Sequence, residues 1–128
     1  VKLIKISSGL STNIPLIEQV SKFNIPMIIS TGMAYESEIR ESVAAAKKFS
    51  NKGVAVLKCT SLYPAPDKTI NLNSITTLRN KLKIPIGYSD HTIDDLVVCG
   101  AVSLGASIIE KHFTLNKKLL NADHKISM

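Results

Sequence analysis

His91 and His112 are the two residues of this chain best placed to do chemistry together. Each closes a short apolar run that opens into polar and ionisable residues: Gly87-Tyr88-Ser89-Asp90-His91-Thr92 and Ile109-Glu110-Lys111-His112-Phe113-Thr114. Each reads as a strand whose C-terminal end carries the functional groups. Alternation along a strand puts residues i and i+2 on one face, so Ser89 shares a face with His91, and Glu110 with His112. Two imidazoles at the ends of successive strands, with Asp90 and Glu110 beside them, form a plausible metal site. The donor set suits a borderline divalent ion such as Mn²⁺ better than Ca²⁺. Coordination positions left open would let that ion polarise a substrate carbonyl.

Other strand ends supply groups for an anion. Lys5 stands near the end of the first strand and is followed by Ser7, Ser8 and Gly9. Converging with Ser30 and Ser89, these would offer a point charge and hydroxyls to a phosphate. The competing reading of the same residues is a solvated lysine and turn serines. Pro64 and Pro66 stiffen the loop that carries Tyr63. Its phenol is held either toward a substrate or within the loop. Asn121-Ala122-Asp123-His124 is a polar loop past the last strand and carries no chemistry by itself.

The elements that must position these groups repeat one pattern. Strands are expected at residues 3–6, 26–29, 54–57, 84–87 and 107–110. Between them lie a helix capped by Asn13 with Pro15 in its first turn, ending near residue 23, and helices over 35–49, 74–82 and 96–105. Ile39, Val43, Ala46 and Phe49 recur at helical spacing in the second of these. Thr92 is expected to cap the fourth. Alternating strands and helices imply parallel pairing with right-handed crossovers, and the short, continuously apolar strands suit a sheet covered on both faces. An open doubly wound sheet and part of a (β/α)8 TIM barrel both fit. No glycine-rich phosphate loop follows any strand. Every strand instead ends in hydroxyl or ionisable residues, which favours a barrel whose strand ends build one site. A whole barrel needs about 250 residues, so five βα units in 128 residues read as a partial barrel.

Composition narrows the partners. Hydrophobic residues make up 45% and charged residues 20%, enough for one domain with a core. The net charge of +6 is spread over expected helix surfaces and loops. Trp is absent and Phe and Tyr are few, which argues against a nucleic-acid surface; a small anionic substrate fits the positive balance. Cys59 and Cys99 lie in apolar runs and are expected as reduced, buried thiols of a cytoplasmic protein. No signal peptide is apparent, and the longest apolar stretch, 96–109, is too short to span a bilayer.

Taken in order, Lys5-Ile6-Ser7-Ser8-Gly9, Ser30-Thr31-Gly32-Met33, Lys58-Cys59-Thr60-Ser61 with Tyr63-Pro64-Ala65-Pro66, the two histidine motifs and Asp123-His124-Lys125 resemble the N-acetylneuraminate (sialic acid) synthase family along the whole chain. The resemblance implies that residues 1–128 are the last five strands of a synthase barrel, without its first three strands and its C-terminal antifreeze-protein-like domain. It implies condensation of phosphoenolpyruvate with an N-acetylated aldose, such as N-acetylmannosamine, to a nine-carbon 2-keto sugar acid plus phosphate. His91 and His112 match the family's metal ligands, for Mn²⁺ or Mg²⁺. Lys5, Ser8, Ser30 and Ser89 match positions holding the phosphate or carboxylate, and Tyr63 and Asp123 match sugar-contacting positions. Glu110 would orient a ligand or handle a proton. Relatives are homodimers in which the C-terminal domain of one subunit covers the other's site.

Three positions depart from that pattern or vary within it. The family commonly has Glu one residue after the Ser-Gly pair, where this chain has Leu10. The loop before Asp123 usually reads Gly-Pro and here is Asn121-Ala122. Lys58 stands where many sialic acid synthases have His and others, including the pseudaminate type, have Lys; pseudaminate and legionaminate synthases therefore stay open as alternatives. Outside the family, the alternatives are a truncated barrel that binds an anion or partner without turnover, and a more distant phosphoenolpyruvate-condensing aldolase.

Overall fold

The computed structural model describes residues 1–120 and 122–128. Five strands, β1 (Ile4–Ile6), β2 (Met27–Ser30), β3 (Val54–Cys59), β4 (Ile86–Asp90) and β5 (Ile109–Lys111), alternate with α1 (Ile14–Ser21), α2 (Glu36–Lys47), α3 (Asn73–Leu82) and α4 (Leu96–Ser103). All neighbours pair in parallel, in the order β1-β2-β3-β4-β5. A doubly wound sheet reverses its strand order at a switch point. Here the order never reverses, so the sheet is an arc of a (β/α)8 barrel.

Alternation divides the strand residues between two environments. Ile6, Met27, Ile29, Val54, Val56, Ile86 and Tyr88 are buried together with Ile17, Ile39, Val43, Ala46, Ile75, Leu78 and Ala101 of the helices. Burying each large aliphatic side chain of this layer is worth about 1.5–3 kcal/mol. The opposite face carries Lys5, Ser30, Cys59 and Ser89, which line a common cavity at the C-terminal strand ends. Gly87 belongs to this inner face. A Cβ there would collide with the Ile108 carbonyl and the Leu57 side chain, so β4 can approach its neighbours closely only without one.

Several local expectations hold. Asn13 Oδ1 accepts the Leu16 N–H at 3.2 Å, with Pro15 in the first turn of α1. Others are corrected. Thr92 does not cap α4: Asp94 Oδ1 accepts the Leu96 N–H at 3.0 Å, while the Thr92 hydroxyl bonds Asp90. Strand β4 runs on to Asp90 because Ser89 and Asp90 have register partners, Glu110 and Lys111, on β5. Phe49 lies beyond the end of α2, exposed beneath the Lys22 and Lys48 ammonium groups. Cys59 is buried as expected, but Cys99 is exposed; α4 is apolar on nearly every side, so its sequence does not mark which face is inward.

A short helix, α5 (Ala122–Ile126), was not anticipated. It is tied to the end of β5 through Met128 N–H donating to the His112 carbonyl at 2.8 Å. Asn121, one of the positions departing from the family pattern, lies outside the described residues. Among the described residues, no helix is long and apolar enough to cross a membrane.

Candidate active site

The C-terminal strand ends meet around one depression. A cavity of about 360 Å³ is lined by Lys5, Ser7, Ser8, Ser30, Cys59, Ser61, Tyr63, Ser89 and His91, among others. It adjoins a second of about 270 Å³ bounded by Lys5, Tyr63, His91, Glu110, Lys111 and His112. Lys5, Tyr63 and His91 belong to both, so the two are lobes of one depression, one rich in hydroxyls and the other holding both imidazoles.

On the imidazole side, the His91 and His112 rings lie 5.5 Å apart between centroids. Tyr63 packs on both, 4.2 Å from the His91 ring and edge-on to His112 at 5.6 Å. His91 Nδ1 lies 2.7 Å from the Thr60 carbonyl oxygen. That oxygen can only accept, so Nδ1 carries a proton, and the neutral ring presents the lone pair of Nε2. This is the arrangement that fixes the tautomer of a metal-binding histidine. Among the described residues, no cluster of three or more His, Cys, Asp or Glu side chains converges on one point. The two imidazoles would be the side chains to hold any divalent ion here, with its remaining ligands coming from water and substrate.

Between the two lobes, Glu110 Oε1 accepts from Lys5 Nζ at 2.7 Å and from the Ser89 hydroxyl at 2.8 Å. Burial pushes the Glu110 carboxyl up, but these two hydrogen bonds, with the charges of Lys5 and His91, outweigh it and hold it below its ordinary value. Ser8 Oγ accepts the Gly32 N–H at 3.0 Å. Ser30 differs from its neighbours: the residue is 1% exposed, and its hydroxyl has no hydrogen-bond partner among the described residues. A buried hydroxyl left unpaired costs about 1–3 kcal/mol, and this one lines the larger lobe.

Sequence reasoning placed Lys5, Ser8, Ser30, Ser89, His91, Glu110 and His112 at the strand ends and Tyr63 in a proline-stiffened loop, and the structure brings all eight to these two lobes. Asp123 sits on α5, near enough for its charge to bear on Tyr63: burial first, then the charges of Cys59, Asp123 and Glu110, push the phenol up. Lys58 points to the opposite face of β3, donating to the Cys59 carbonyl at 2.8 Å and to Thr60 Oγ1 at 3.1 Å. Burial lowers its ammonium.

The residue whose place was missed is Cys59. It was read as a buried structural thiol, yet its Sγ lies 3.9 Å from His91 Nδ1 and 3.4 Å from Ser8 Oγ. Burial pushes the thiol up. The contacts with His91 and Ser8, the His91 charge and Ser61 pull it down further, to about 7. Conversely, burial lowers His91, and Cys59, the Thr60 carbonyl and Asp90 more than reverse that. The signal was available in the polar run that begins at Cys59 on the third strand end.

Comparison with known proteins agrees with this geometry. A family model described as the NeuB family matches residues 1–128. The N,N'-diacetyllegionaminic acid synthase of Campylobacter jejuni is 43% identical over 129 residues, covering 99% of this chain and 39% of that protein. The pseudaminic acid synthase of Helicobacter pylori is 37% identical over 126 residues, covering 98% of this chain and 37% of that protein. The crystal structure of N-acetylneuraminic acid (sialic acid) synthetase from Leptospira borgpetersenii, in complex with citrate, matches with a TM-score of 0.94 at 39% identity. That match covers 100% of this chain and 45% of the other. The chain spans less than half the length of these relatives.

Proposed function

The chain belongs to the NeuB family, and from that premise we propose that it is the C-terminal five-strand part of a synthase barrel. The complete enzyme joins phosphoenolpyruvate to an N-acetylated aldose and releases phosphate. One arrangement carries this reading. Lys5 and the buried hydroxyl of Ser30, which has no partner among the described residues, stand on one side of a depression, with the neighbouring imidazoles of His91 and His112 on the other.

Each residue has a role in this reading. Lys5, Ser8, Ser30 and Ser89 hold the phosphate and carboxylate of phosphoenolpyruvate. Tyr63 and Asp123 contact the sugar. Carbon 3 of the enolpyruvate forms a bond to the aldehyde carbon, and the aldehyde oxygen takes up a proton. Water adds at carbon 2, releasing a proton. The carbon–oxygen bond to phosphate then breaks as the 2-keto group forms. Glu110, hydrogen-bonded to Lys5 and Ser89, is the carboxylate placed to hold or pass one of these protons. His91 and His112 would hold Mn²⁺ or Mg²⁺, which when bound supplies Lewis acidity toward the aldehyde oxygen.

Legionaminic, pseudaminic and sialic acid synthases are all among the relatives, so the acceptor is proposed only as an N-acetylated aldose. The proposed enzyme is a cytoplasmic homodimer.

The test is phosphate release by the full-length protein from phosphoenolpyruvate plus a panel of N-acetylated aldoses. Release is expected to depend on the sugar, to stop in excess chelator and to return with Mn²⁺. Sugar-dependent release that persists in chelator would remove the metal role. No release with any sugar would favour a second reading, a barrel that binds anions without turnover. Leu10, half-exposed where the family commonly has Glu, is the observation on that side.

A further inference from the structure

Directly behind the two histidines, on the other face of the sheet, lies a buried ion pair that the proposed reaction does not use. Asp90 and Lys111 precede His91 and His112 by one residue and are register partners across β4 and β5. Their side chains are 0% and 4% exposed, and Lys111 Nζ lies 2.5 Å from Asp90 Oδ2. The ammonium also donates to the Thr92 carbonyl at 3.0 Å and the Asp94 carbonyl at 3.2 Å, which accounts for its three protons. Asp90 Oδ1 accepts the Thr92 N–H at 3.0 Å and the Thr92 hydroxyl at 2.8 Å. Tyr88, fully buried, stands on the same face of β4 two residues before Asp90.

Two features give this pair a consequence beyond packing. The ladder between β4 and β5 ends at Asp90 and Lys111, so each histidine stands one residue past the last register pair. Lys111 also reaches both sides of His91, the Asp90 carboxylate before it and the Thr92 carbonyl after it. His91 is thus strapped to the strand that carries His112. A buried ion pair gives little net stability compared with apolar residues of similar volume, and its best-attested use is in fixing register.

We propose that Asp90 and Lys111 are positioning residues that set the spacing of the His91 and His112 imidazoles for one divalent ion. The inference rests on the reading of those histidines as metal ligands.

The test is Mn²⁺ titration of the full-length protein, followed by electron paramagnetic resonance of free Mn²⁺, with melting recorded in chelator. The double variant Asp90→Asn/Lys111→Met removes both charges, keeps an acceptor for Thr92 and fills the lysine stem. It is expected to melt within a few degrees of the parent in chelator and to bind Mn²⁺ about 10–100-fold more weakly, the usual effect of losing a group that orients a metal ligand. Asp90→Glu keeps the charges but lengthens the strap by one methylene; it is expected to fold and to weaken Mn²⁺ binding likewise, which settles the matter if the double variant does not fold. Parent-like Mn²⁺ affinity in either folded variant would overturn the strap while leaving the metal site intact. A parent protein that binds no Mn²⁺, or binds it equally well as His112→Ala, would overturn the metal reading and the strap with it.

Discussion

Lys5 is the residue on which the anion side turns. In the structure its ammonium is shared with Glu110 at 2.7 Å, so a bound phosphate must draw on its remaining donors. Lys5→Ala in the full-length enzyme should raise the KM for phosphoenolpyruvate about tenfold or more, the scale of losing one charge-assisted hydrogen bond of about 1.5–3 kcal/mol, and leave the sugar KM within about threefold. Steady-state kinetics varying each substrate in turn would check this, and equal increases in both constants would take Lys5 out of the phosphate site. Glu110 makes the complementary prediction in pH. Its folded value is depressed below the ordinary 4.5, so its contribution to stability is present above that value and is lost as pH falls through the folded value. Both side chains are about one-third exposed, which keeps the contribution modest. Between pH 6 and 3, Glu110→Gln should therefore show a shallower fall in Tm than the parent.

Among the elements, β4 carries the most constraint. All five of its residues are buried, and it contributes Ser89 to the inner face and Asp90 to the outer one. Gly87 lets it sit against the Ile108 backbone. Gly87→Val should cost at least the 1–3 kcal/mol typical of overpacking, because the obstacle on one side is a carbonyl that cannot rotate away. Urea unfolding would measure it, and a variant as stable as the parent would show that β5 yields. The strand is also where the sequence misled: apolar character stops at Gly87, yet pairing continues to Asp90 because β5 supplies Glu110 and Lys111 opposite its polar residues. Hydropathy registers burial by apolar residues and misses burial by a satisfied ion pair.

At the scale of the whole molecule, β1 and β5 each have one neighbour, leaving two sheet edges with unpaired backbone groups. Leu3, Phe113, Leu115 and Leu120 are exposed near the two edge strands or in the segment after the last one. Residues 1–128 produced alone should therefore self-associate and show no synthase activity. Sedimentation would report it, and a monomer that melts cooperatively would contradict it.

The order of strands and helices was legible in the chain, because parallel strands buried against helices are short apolar runs, and the longer helices, such as α2 with Ile39, Val43 and Ala46, keep a 3.6-residue period. The sequence also placed Lys5, Ser30, Ser89, Glu110 and the two histidines at strand ends, because polar residues that interrupt an apolar strand have to lie at its mouth. The tertiary structure alone decided which of these groups are paired. Glu110 takes Lys5 and Ser89, Ser30 finds no partner among the described residues, Cys59 comes up against His91, and Asp90 meets Lys111 behind the imidazoles. Each contact joins residues far apart in the chain, such as Lys5 and Glu110, and its existence depends on strand register. Register is set by the packing of the whole sheet and is written in no local run of residues.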